Sequence, residues 1–143
     1  MGLDMYMVRV DNKTCKPIKE DNYIVSFDSK TDEVAYWRKQ NMLHHFILEQ
    51  TGADPNMNCT YVEVPYEVLY EFIGRANDIL KARGHNREFL AKKLLPTHSG
   101  FFFGSTEYDK WYYESLKSIR ADFRSIIQTT DFVNQTLYYS CWW

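Results

Sequence analysis

Between Pro65 and Arg83, the residues Val68, Leu69, Phe72, Ile73, Ala76, Ile79 and Leu80 recur at intervals of three and four. That spacing gathers them on one side of an α-helix, whereas a strand would divide them between two faces. A helix therefore runs from Pro65, which the first turn tolerates, to the stop at Gly84. So wide an apolar stripe must be covered by something else. Two more long helices are available. One runs from Thr106 to Gln128, with Tyr108, Trp111, Tyr112, Leu116, Ile119, Phe123, Ile126 and Ile127 near helical spacing. The other runs from a cap at Thr31 or Asp32 to Gln50, with Ala35, Tyr36, Met42, Leu43, Phe46 and Ile47 toward the core and Gly52 beyond its end. A shorter helix spans Asn86 to Leu94, before Pro96.

Strand signals flank these helices. Met5 to Val10, Tyr23 to Phe27, Cys59 to Val64 and Gln135 to Trp143 are rich in β-branched and aromatic residues. Residues 11–21 read as a polar loop around Pro17, and Asp28 to Thr31 and Asp54-Pro55-Asn56 as turns. The expected architecture is one α+β domain over residues 1–143: a small, mostly antiparallel sheet packed against three main helices, with the first and last strands as candidates to pair.

The formal net charge is -2. It offers no whole-molecule attraction to a phosphate backbone, so long nucleic acid is disfavoured, while a local basic patch can still take a small anion. Cys15, Cys59 and Cys141 are widely spaced and odd in number, which suits reduced thiols in a cytoplasmic protein. No apolar run reaches a membrane span and no signal-peptide region opens the chain. His44 and His45 are adjacent and so diverge by about 100° on a helix, unlike a zinc pair spaced by four. Neither a metal nor a cofactor is expected.

The densest local pattern is Pro96-Thr97-His98-Ser99-Gly100-Phe101-Phe102-Phe103-Gly104-Ser105-Thr106-Glu107-Tyr108-Asp109. It reads as a short aromatic strand between two glycines, feeding a helix capped by Ser105 or Thr106. The helix N-terminus would suit an anion, helped by Ser99 and Thr97, although Glu107 and Asp109 oppose one there. On the first long helix, Trp37, Asn41 and His44 share a face. Trp37 can stack on a planar ligand, Asn41 can read donors and acceptors, and His44 can bond an anion or move a proton. Arg38 can neutralise phosphate. The expected ligand site combines Trp37, Arg38, Asn41, His44, Ser99, Phe101, Phe103 and Ser105. Neither a phosphate loop nor a Gly-x-Ser-x-Gly elbow is present, so no catalytic residue is assigned.

Several blocks carry a resemblance: the opening Met1-Gly2-Leu3-Asp4-Met5-Tyr6, the run Glu33 to Lys39, the Ser99 to Asp109 segment, and the ending Tyr138-Tyr139-Ser140-Cys141-Trp142. In the same order along nearly the whole chain, they resemble a family of small, largely uncharacterised bacteriophage and prophage proteins. The resemblance implies no activity, cofactor or site residue. It implies a phage accessory protein in the host bacterial cytoplasm that interferes with a host process by binding, either an anionic or nucleotide-like small molecule or a host defence protein. The exposed aromatic C-terminus and Trp111 are the expected anchors for a protein partner. A small phosphoesterase or nucleotide-modifying enzyme, with His44 or His98 as base, and a structural virion component are the alternatives.

Overall fold

The computed structural model describes residues 2–100 and 103–143. Its elements in chain order are β1 (Asp4–Asp11), β2 (Pro17–Glu20), β3 (Tyr23–Phe27), β4 (Asp32–Arg38), α1 (Asn41–Thr51), β5 (Tyr61–Glu63), α2 (Tyr66–Lys81), α3 (His85–Leu94), α4 (Lys110–Thr129) and β6 (Gln135–Trp142). The fold is α+β. Six strands form one antiparallel sheet in the order β2-β3-β5-β6-β1-β4. The first and last strands pair at its centre, Asp4 opposite Trp142 through Asp11 opposite Gln135.

Period-two alternation decides which face each residue takes. Met5 and Met7 of β1, Leu137, Tyr139 and Cys141 of β6, and Trp37 of β4 join the core. There they meet Leu43, Phe46 and Ile47 of α1, Leu69, Phe72, Ala76 and Ile79 of α2, and Leu116, Ile119 and Phe123 of α4. The helices thus cover one face. On the other, Val8, Val10, Cys15 and Tyr138 form a smaller cluster with Ile24, Phe27 and Tyr61, under the β2–β3 hairpin. The remainder of that second face carries no helix among the described residues.

Two expectations are corrected. Residues 32–38 form β4, not the start of a helix, and α1 begins only at Asn41. The run Val34-Ala35-Tyr36-Trp37 satisfies either period, and pairing with β1 decides it: Ala35 opposes Met7 and Trp37 opposes Met5 on the buried face. Lys39, at φ +57°, then breaks the strand while its N–H donates to the Leu3 carbonyl at 2.7 Å. Pro17 to Glu20, expected as loop, pair with β3 as a short edge strand, a place where proline is tolerated.

The third correction concerns residues 96–109, whose described part holds no strand. α4 is capped by Asp109, not by Ser105 or Thr106: its Oδ1 accepts from the Tyr112 N–H at 3.0 Å. Asp109→Ala is expected to cost about 1 kcal/mol. Chemical denaturation would measure it, and a shift within error would mean that packing of Tyr112 alone fixes the helix start.

Candidate functional site

The segment following α3 lies against α1, and Asn41 ties the two together. Its Nδ2 donates to the carbonyls of Phe103 (3.1 Å) and Ser105 (2.8 Å), and its Oδ1 accepts from the His98 N–H (2.9 Å). Both glycines permit this path. A Cβ on Gly100 would sit 2.5 Å from the Phe103 ring, and Gly104, at φ +91°, would bring one within 3.1 Å of the Lys39 carbonyl. Phe103 packs edge-on between His44, at 5.1 Å, and Trp143, at 5.7 Å.

His44 lies beneath this cover, 2% exposed. Its Nδ1 is 2.7 Å from the Tyr139 hydroxyl, while Nε2 has no hydrogen-bond partner among the described residues. Burial, with smaller contributions from His45 and His98, lowers its pKa to about 4 and keeps the ring neutral. His45 and His98 stack with centroids 4.5 Å apart and planes 6° from parallel, and His45 Nε2 lies 3.1 Å from Glu49. Lone pairs lie in the ring plane, so two parallel imidazoles cannot both aim at one ion. No group of three or more His, Cys, Asp or Glu side chains able to hold a metal occurs among the described residues.

The expected recess is therefore closed. Asn41, His44, Phe103 and Ser105 do meet, but as a packed joint in which the amide and imidazole are sealed. Ser105 Oγ accepts from the Glu107 N–H at 3.1 Å, and Ser99 is exposed beside the joint. Phe101 lies outside the described residues. Trp37 points elsewhere: 6% exposed, it donates from Nε1 to Asp122 at 2.9 Å and meets Phe123 edge-on, so it cannot stack on a ligand. Its place on a strand separates it from Asn41 and His44. Arg38, on the opposite sheet face, donates to Asp4 at 2.7 Å. The Tyr36 hydroxyl, 2.5 Å from the same carboxylate oxygen, and Arg38 together hold the Asp4 pKa below its ordinary value.

What sequence reasoning missed is the helix-free sheet face. Register places Tyr36 opposite Tyr6, Tyr6 opposite Ser140, Ser140 opposite Tyr61 and Tyr61 opposite Ile24, a row crossing five strands. One pair along, Asp4 lies between Arg38 and Trp142. Ser140 is the smallest residue of the tyrosine row, and a cavity of about 410 Å³ opens beside it. Tyr6, Tyr61, Trp142, Thr31 and Glu33 contribute to its walls. Tyr36 and Trp142 are 48% and 62% exposed, and the Tyr6 and Tyr36 rings lie 5.3 Å apart. Burial, then the Asp4 and Glu33 carboxylates, raises the Tyr6 pKa, so its hydroxyl stays a donor. Glu33 is the one charged side chain among the described residues lining this cavity. The recess thus offers ring faces, hydroxyls and a single carboxylate acceptor, which suits a planar group with N–H donors. Alternation in β1 and β6 was visible in the sequence, but nothing there showed which rings would share a row.

No helix among the described residues is long and apolar enough to cross a membrane. Neither a protein-family model, nor a curated protein, nor a solved structure matches this chain.

Proposed function

We propose that this chain is a phage accessory protein that binds a nucleotide-like ligand on the open sheet face and thereby withdraws it from a host process. The observation that carries this reading is the transverse row Tyr36, Tyr6, Ser140, Tyr61 with Trp142 at its rim. A base would enter beside Ser140, stack against Tyr61 or Trp142 and donate from its amino edge to Glu33. Phosphate would extend toward Arg38, whose planar guanidinium is held by Asp4, the residue that stands between Arg38 and Trp142 in register. The phage context rests on the resemblance of the sequence blocks, and sequestration on the recognition chemistry of the recess.

Two observations favour binding over turnover. The proposed base His44 is covered and holds its proton only weakly, and Asp109, at the end of the segment 96–109, has its carboxylate occupied in capping α4. Calorimetric titration with a panel of nucleoside monophosphates and cyclic dinucleotides tests the reading, with chromatography of the recovered ligand. A one-to-one complex with unaltered ligand is expected, weakened about tenfold or more by Tyr61→Ala or Trp142→Ala, since stacking contributes roughly 1–3 kcal/mol per base. Product formation would move the reading to a nucleotide-modifying enzyme. Affinity unchanged in both folded variants would remove the recess from it.

A further inference from the structure

A second aromatic surface lies where β5 runs into α2 and shares no lining residue with the sheet-face recess. Tyr66 and Tyr70, one turn apart on α2, meet edge-on at 6.0 Å, and Phe132 packs on Tyr66 at 5.6 Å. Tyr66, Tyr70 and Val133 are 46%, 55% and 86% exposed. Beside them a cavity of about 250 Å³ is bounded by Val64, Pro65, Tyr66 and Phe132, with the carboxylates of Glu63 and Glu67 also on its lining and no lysine or arginine there. Asp131, next to Phe132 in the chain, adds a third acid. The Asn134 amide and the Val133 N–H hold its pKa below the ordinary value. Arg75 further along α2 is already answered by Glu71 at 2.9 Å. Glu67 offsets the positive end of α2, which leaves Glu63 and Asp131 to make the local field negative.

Glu63 and Glu67 form no ion pair among the described residues, and exposed rings edged by such carboxylates select a cation on an apolar stem. We propose that this patch docks a segment of a partner protein in which arginine or lysine alternates with large aliphatic side chains. The cationic head lies over the face of Tyr66 or Phe132 with Glu63 or Glu67 as its counter-charge, and an aliphatic neighbour covers Tyr70 and Val133. Aromatic anchors surrounded by charge complementary to the partner are the features that concentrate binding energy at interfaces. This site is independent of the nucleotide reading.

The probe is a fluorescein-labelled peptide of alternating arginine and leucine, followed by anisotropy at about 0.15 M salt, with a glutamate-for-arginine peptide as control. The full-length protein should bind the basic peptide saturably and the acidic one not at all. Glu63→Gln with Glu67→Gln should weaken binding about tenfold, and Tyr70→Ala, on an exposed side chain, several-fold. Trp142→Ala should leave it unchanged, and a photo-crosslinker in place of Val133 should capture the peptide. Equal affinity for both peptides, an undiminished affinity in the patch variants, or no capture at position 133 overturns the proposal. So does self-association abolished by Tyr70→Ala, because a second copy would then be the occupant.

Discussion

Asn41→Leu is expected to lower the unfolding free energy by about 3 kcal/mol. Leucine keeps the branching of asparagine but is larger, so some crowding at this buried position adds to the loss. It removes the hydrogen-bond partner of three backbone groups at once: the Phe103 and Ser105 carbonyls and the His98 N–H. Each buried group left unpaired costs roughly 1–3 kcal/mol, reduced where the segment can turn toward water, as it can at exposed His98 and Ser105. For a chain of this length the midpoint of thermal unfolding should fall by about 10 °C. Amide exchange should accelerate in the described residues between Thr97 and Ser105 more than in α2. A loss below about 1 kcal/mol would show that the segment is held elsewhere. The Phe103 ring contacts and the bond from the Thr97 N–H to the Tyr108 hydroxyl are then the remaining ties.

Acidification should produce an effect of similar size through His44. In the folded protein this ring titrates at about 4 instead of 6.5. Between those values the unfolded chain binds a proton that the folded chain refuses, so each step down in pH favours unfolding. The stabilisation is complete above the unfolded value and is lost as pH falls toward 4, by roughly 3 kcal/mol at 1.36 kcal/mol per pKa unit. Asp4 and Asp131, whose pKa values are lowered below 3.8, lose their contribution only at more acid pH, so this window belongs mainly to His44. His44→Leu alone leaves the buried Tyr139 hydroxyl without its partner and should cost about 2 kcal/mol at neutral pH. His44→Leu with Tyr139→Phe removes both polar groups and should be close to neutral there, with a flat stability profile from pH 6.5 to 4. If the double variant keeps the slope, the acid sensitivity lies outside the His44–Tyr139 pair.

Much of the fold was legible because helix and strand periods are local. The stripe from Val68 to Ile79 became the buried side of α2, and Tyr112, Leu116, Ile119, Phe123 and Ile126 became that of α4. The strands over Met5 to Val10 and Tyr23 to Phe27 also stand where their composition put them. The site was less legible. Trp37, Asn41 and His44 share a helical face only if residues 37–44 are one helix, and the turn at Lys39 uses a left-handed backbone without the glycine that would have announced it. Asn41 and His44 stand out in the sequence as groups able to hydrogen-bond, and in the structure both spend that capacity inside the protein. Their partners, the carbonyls of Phe103 and Ser105 and the hydroxyl of Tyr139, come from distant parts of the chain that no local pattern connects to α1.

The sequence by itself determined the element types with clear periodicity, and marked Gly100 and Gly104 as positions where the chain could pass too close to neighbours for a Cβ. Both follow from short-range sterics and from the side-chain period, which neighbouring residues alone express. Only the tertiary structure decided that β4 is a strand, that the imidazole of His44 is sealed, and that tyrosines from β4, β1 and β5 line up beside Ser140. These outcomes depend on register between segments far apart in the chain, where shifting a strand by one residue would exchange the buried and open faces.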